Sequence, residues 1–198
     1  MGARCRGLNQ MLGNDRRQAL AMLLGGGLAG ALGAPRQAWA GATRQAWAGA
    51  TQMAPLPGDE HFMRMAIAEA ARGDFPFGAV IVRDGDVVST GRNLGRTTND
   101  PTAHGEMVAI RRFVAVRPAS EFKGTTLYSS GEPCPMCMSA ILWCGIGRVV
   151  FAASIDELAT KVGQIMLTSR QVAEAAPFAA IGITGGVLSA EALALFAK

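Results

Sequence analysis

The chain has 198 residues, 49% hydrophobic and 17% charged, which excludes a disordered or low-complexity protein and suits one domain with a short addition. A formal charge of +4 would suggest a polyanionic partner if it were spread along the chain. It is not: residues 1–40 hold five arginines (Arg4, Arg6, Arg16, Arg17, Arg36) against Asp15 alone, while residues 41–198 hold 14 basic and 14 acidic side chains. The larger part is neutral, and composition gives it no overall reason to seek nucleic acid.

The first 40 residues fall into three zones. A basic region ends in NDRRQAL, an apolar but glycine-diluted run follows (Ala19–Ala34), and Ala38-Trp39-Ala40 supplies a small-x-small motif. This is the layout of a bacterial export signal, and the Arg16-Arg17 pair before a weakly hydrophobic run resembles a twin-arginine signal. The competing reading is a buried or membrane-spanning helix. A run of about 16 residues falls short of the roughly 20 needed to span, and each glycine weakens a helix by about 1 kcal/mol. Residues 1–40 are therefore expected to be a leader directing the chain to the periplasm, with no stable membrane span after processing.

Next comes RQAWAGATRQAWAGAT, a tandem duplication of Arg36–Thr43 as Arg44–Thr51. Two short copies cannot build a repeat architecture, so residues 41–57 are expected to be a linker, with Ala46-Trp47-Ala48 a second possible cleavage motif. The folded domain is expected over residues 58–198.

From Asp59 the pattern becomes periodic. Met63, Ala66, Ile67 and Ala70 form one face of a helix that stops at Gly73, with His61 solvated in its first turn. FGAVIVRDGDVVSTGRN holds two β-rich runs around Asp84-Gly85, a hairpin signal. Asp100 and Pro101 suggest the cap and first residue of a helix reaching about Val116. A strand over Thr125–Ser130, a helix over Pro135–Trp143, a strand over Arg148–Ala153, a short strand near Ile181–Thr184 and a final helix over Ser189–Phe196 complete the reading. This order indicates an α/β domain, one sheet covered by helices on both faces.

Two short motifs carry chemistry. In GEPCPMC, Cys134 and Cys137 are three residues apart at a helix start, where both sulfurs can face one side and the helix end favours thiolate. A redox pair or two buried thiols would also fit that spacing. Pro133, the following helix and His104 upstream point instead to zinc (Zn2+), held by His104, Cys134 and Cys137 with the fourth tetrahedral position left for water, which is a catalytic arrangement. In PTAHGE, Glu106 can take a proton from that water and deliver it to a substrate nitrogen. Residues i and i+2 of a regular helix point about 200° apart, so His104 must lie in a distorted first turn if both are to face the metal. Gly105 lets backbone approach a ligand closely.

Together, PTAHGE and PCPMC resemble the signature of the zinc-dependent cytidine/deoxycytidylate deaminase superfamily, H-x-E followed by P-C-x-x-C. The resemblance covers roughly Phe62 to Ala153. It implies a three-layer α/β/α sandwich around a mixed, about five-stranded sheet. It also implies hydrolytic deamination at an amino-bearing ring carbon, with Glu106 as proton shuttle and ammonia released.

Within the superfamily, PFGAVIV, GRN, TNDPTAHGE and AILW resemble the bacterial guanine deaminases, a likeness that places Asn93, Phe77 and Trp143 around the base. GIGRVVF and the ending ITGGVLSAEALALF are similar to the tRNA adenosine deaminases, and the HGE triplet to fungal cytosine deaminases. Gly145 departs from both bacterial groups, which usually have arginine there. The segment Gly163-Gln164-Ile165 lacks the acidic shuttle of the guanine enzymes, and the short tail after Leu195 only loosely matches their pocket-closing aromatic. Export and a neutral domain favour a free nucleobase or nucleoside, guanine-like, over tRNA. A non-catalytic zinc-stabilised module is disfavoured because a structural zinc site needs no Glu106. The resemblance further implies a homodimer. Cys144 is expected to be a buried helix residue.

Overall fold

Alternating apolar residues build the sheet from its centre outwards. The computed structural model describes residues 49–197; the segment expected to be a leader and both small-x-small motifs lie outside the described residues. In strand β2 (Gly78–Arg83), Ala79 and Ile81 join one core, while Val80 and Val82 join the other. The same alternation divides Leu127 from Tyr128 in β4 (Thr126–Gly131) and Val149 from Val150 in β5 (Arg148–Ala153). Both faces of the central strands are thus covered, as three layers require.

One face carries α2 (Gly105–Val116), α3 (Pro135–Cys144) and the short α5 (Ser169–Glu174), with Phe113 stacked on Phe122 at 4.1 Å in the core beneath them. The other carries α1 (Asp59–Ala70) and α6 (Ser189–Leu193). A short α4 (Ile155–Ala159) follows β5, and 3-10 turns occupy Ala119–Phe122 and Ala194–Ala197. Among the described residues no helix is long and apolar enough to cross a membrane.

With β1 at Ala50–Gln52, β3 at Asp86–Arg92 and β6 at Ile181–Thr184, the sheet is mixed and six-stranded, in the order β1-β6-β5-β4-β2-β3. Strands β4, β5, β6 and β1 run parallel, and β2 pairs antiparallel with both β4 and β3. Asp84 (φ 52°) and Gly85 (φ 87°) form the hairpin turn between β2 and β3, both in the left-handed region as a type I′ turn demands.

Two expectations are corrected. The sheet has a sixth strand, β1, within the segment read as linker: Ala50, Thr51 and Gln52 register with Ile181, Gly182 and Ile183, so ordered structure begins before residue 58. And α2 starts at Gly105, not near Pro101, with His104 as its cap residue. Asp100 instead ties the preceding loop, accepting from the Thr102 N–H at 2.8 Å, the Thr102 hydroxyl at 2.6 Å and Arg111 at 3.0 Å.

A buried ion pair joins the first helix to the sheet. Asp59, in the first turn of α1, takes a two-pronged contact from Arg148 of β5 at 2.8 and 2.7 Å, and accepts from the Tyr128 hydroxyl at 2.9 Å and the Leu56 N–H at 2.7 Å. Arg148 also donates to the Thr184 hydroxyl at 2.8 Å. Burial pushes the Asp59 carboxyl up, but Arg148, the Leu56 amide and Tyr128 together hold it below the usual carboxylate range.

Candidate active site

The site is assembled where the amino ends of α2 and α3 meet. His104 (φ −67°, ψ 159°) caps α2 and Cys134 (φ −61°, ψ 165°) caps α3, each in extended conformation immediately before its helix. His104 therefore lies outside the helical repeat, which lets it share a target with Glu106 in the first turn despite their spacing. Pro135 occupies the first position of α3, where no N–H is lost, and Cys137 follows two residues later.

The helix is brought down by close backbone contact. A Cβ at Gly91 of β3 would collide with the Gly105 carbonyl and the Ala109 backbone, so α2 rests directly on the strand. Gly105 faces the backbone of its own chain: a Cβ there would stand 3.0 Å from Gly78 Cα and 3.1 Å from Phe77 O. A close backbone approach does occur at Gly105, to the start of β2.

His104 Nδ1 lies 3.7 Å from Cys134 Sγ and 3.6 Å from Cys137 Sγ, and the three ligating atoms all fall within 4.8 Å of one another. With Zn–S near 2.3 Å and Zn–N near 2.05 Å, tetrahedral coordination places N and S about 3.55 Å apart. The donor set and spacing therefore fit zinc. Cys137 is fully buried, while His104 and Cys134 are half-buried.

The three side chains shift one another's protonation. Hydrogen bonds from the Cys137 thiol and from His104 stabilise the Cys134 thiolate, pulling it down to about 4 against the resistance of burial. The same contact with Cys134, together with burial and the Glu106 carboxylate, pushes Cys137 up. The bond to Cys134 raises His104 against burial. Glu106 is only 6% exposed, and burial, with the Cys134 thiolate nearby, raises its carboxyl. Ser129 on β4 donates its hydroxyl to Glu106 Oε1 at 3.1 Å and so anchors one side of the carboxylate.

Asn93 and Phe77 sit together at the edge of this site. Asn93, buried just after β3, donates its N–H to Phe77 O at 2.9 Å, and its Oδ1 accepts from the Gly95 N–H at 3.1 Å. The Phe77 ring packs over Gly131 at the end of β4 and meets Phe196 edge-on, with ring centres 5.4 Å apart. Trp143 stands apart. It lies six residues beyond Cys137, hence about 120° around the helix, is 76% exposed and stacks on Phe178 at 4.5 Å. The expectation that Trp143 lines the base pocket is not met within one chain, because the phase of α3 turns it toward a groove shared with Pro135, Ser139 and Leu142. Cys144, at the end of α3, is half-buried rather than buried, and no disulfide engages Cys134, Cys137 or Cys144.

Two residues of the site were not legible in the sequence. Ser129 is one of two serines in a strand and carries no motif. Glu132 lies two residues before Cys134, and its buried carboxylate accepts from the N–H groups of Ile155 and Ser169 at 2.9 and 2.8 Å.

Residues 57–153 match the cytidine and deoxycytidylate deaminase zinc-binding region. The chain is 43% identical over 105 residues to the guanine deaminase of Bacillus subtilis, covering 50% of this chain and 67% of that protein. A solved structure described as a tRNA:A34 deaminase superposes with a TM-score of 0.57 at 31% identity, covering 68% of this chain and 98% of that one. A protein solved in complex with 2,6-diaminopurine gives a TM-score of 0.60 at 25% identity, covering 72% and 81%. With its His104–Cys134–Cys137 cluster on this fold, the chain belongs to the zinc-dependent cytidine and deoxycytidylate deaminase family.

Proposed function

We propose that the protein hydrolytically deaminates a free nucleobase or nucleoside, with a guanine-like purine the favoured substrate. The observation that carries this reading is the buried Glu106 carboxylate beside the three-ligand cluster, with one oxygen held by Ser129. Zinc, when bound, supplies Lewis-acid activation of water. The chain's own residues do the rest. Burial suits Glu106 to hold a proton and hand it to a ring nitrogen or to the departing amine. Water adds to the amino-bearing carbon, ammonia leaves, and a carbonyl takes its place. Asn93 offers a positioned amide to a base edge, and the Phe77 ring offers a face for stacking.

The purine preference is supported by likeness to a guanine deaminase and to a protein solved with 2,6-diaminopurine. Likeness to a tRNA:A34 deaminase supports the rival reading, an enzyme acting on tRNA. The charge balance of residues 41–198 argues against it, because phosphate-dominated binding draws on an excess of lysine and arginine. Export through the leader and a homodimer are part of this proposal, the latter supported by the exposed face around Trp143 and Phe178.

The test is ammonia release from guanine, adenine, cytosine, their nucleosides and a tRNA anticodon stem-loop, using the purified zinc-loaded protein. Turnover of guanine is expected. Turnover of the stem-loop alone would overturn the substrate choice, and no turnover of any substrate by fully zinc-loaded protein would overturn the enzymatic reading.

A further inference from the structure

The two sulfurs of the cluster are held in different ways. Cys137 is inside α3, fully buried, and its position follows from the packing of Met138 and Ile141 on the sheet. Cys134 precedes the helix, is half-buried, and depends on the chain that leads into it.

That chain is clamped at Glu132. Its N–H donates to Ala153 O at 2.7 Å, joining it to the end of β5. Its carboxylate, 8% exposed, accepts at Oε2 from the Ile155 N–H at 2.9 Å and at Oε1 from the Ser169 N–H at 2.8 Å. These are the first residues of α4 and α5, whose leading amides have no partner inside their helices. Ser169 closes the loop by donating its hydroxyl to Pro133 O at 3.3 Å. Both carboxylate oxygens are therefore used, and the peptide before Cys134 is gripped from both sides by segments 23 and 37 residues further on.

We propose that Glu132 is a positioning residue for the metal site: by holding the amino ends of α4 and α5 it fixes the Glu132–Pro133 segment, and through it the direction of the Cys134 sulfur. It touches neither metal nor substrate. The proposal rests on the zinc reading of the cluster and adds that one of its ligands is set by a carboxylate outside it. Supporting groups of this kind typically contribute 10- to 100-fold in metal affinity.

The experiment measures zinc affinity by chelator competition and the visible spectrum of the cobalt-substituted protein, for wild type, Glu132→Gln, Ser169→Pro and Glu157→Ala. Glutamine keeps one acceptor and loses the other. Proline is accommodated at the first position of α5, where Thr168 already has ψ 156°, yet it removes both Ser169 contacts; it serves if Glu132→Gln does not fold. Glu157→Ala breaks the α4 capping box without touching Glu132, and so controls for simple loss of helix stability. About 10- to 100-fold weaker zinc binding is expected for the Glu132 and Ser169 variants, with a changed cobalt–thiolate spectrum, and wild-type behaviour for Glu157→Ala. Wild-type affinity and spectrum in both Glu132→Gln and Ser169→Pro would overturn the proposal, as would an equal loss in Glu157→Ala. Failure of the zinc reading itself would show differently, as wild-type protein that binds no zinc.

Discussion

Ser129 Oγ donates a 3.1 Å hydrogen bond to Glu106 Oε1 from the neighbouring strand, 23 residues along the chain. The bond anchors one oxygen of the buried carboxylate. Ser129→Ala is expected to keep zinc content and fold while lowering kcat by about ten- to a hundred-fold, the equivalent of a charged hydrogen bond of roughly 1.5–3 kcal/mol. Glu106→Ala, also keeping zinc, is expected to lose about 10²–10⁴ in kcat. Ammonia release beside metal analysis checks both, and full turnover in Glu106→Ala would sink the mechanism.

The Asp59–Arg148 pair predicts an acid-sensitive fold. The folded-state carboxyl lies below its ordinary 3.8, so its stabilisation is fully present above that unfolded value and is lost as pH falls through the lower folded one. Asp59→Ala is expected to cost about 3–5 kcal/mol near neutral pH by leaving Arg148 buried and alone. Urea unfolding at several pH values should show the gap to wild type narrowing only below about pH 4. A constant gap down to pH 2 would refute the assignment.

Two glycines under the same helix should respond differently. Gly91→Ala drives a methyl into the Gly105 and Ala109 backbone and is expected to cost about 1–3 kcal/mol, lowering activity as α2 lifts. Gly105→Ala meets neighbours at 3.0–3.1 Å and needs a shift of only a few tenths of an ångström, so it should cost less. Thermal unfolding of the two variants gives the order directly, and a reversed order would show that α2 is not seated through Gly91.

Trp143 separates a substrate role from an assembly role. Its exposed ring on Phe178 predicts that Trp143→Glu shifts the sedimentation of the protein toward monomer. An unchanged sedimentation coefficient with a raised KM would instead return Trp143 to the base pocket.

Local spacing made the cluster and its neighbouring carboxylate legible: His104 and Glu106 are two apart, Cys134 and Cys137 three apart, and each pair sits beside a helix start that proline or glycine announces. The supporting groups have no such signature. Glu132 works through backbone amides, which carry no identity in the sequence, and Asp59 finds Arg148 across 89 residues. Strands β2 and β5 could be read because their residues are largely apolar on both faces, whereas β1 is Ala-Thr-Gln and gains its place only from a distant partner. Motif likeness says nothing about helix phase, which sets where Trp143 points.

Strand β1 sets a practical boundary for the protein. Trimming the chain to Pro57, the last residue of the expected linker, would remove, among the described residues, the neighbour on one side of β6 and leave its amides and carbonyls bare along a parallel edge. Such an edge templates pairing with other chains. A shortened protein beginning at Pro57 should therefore aggregate during refolding, whereas one that begins at Gly49 retains its own guard strand.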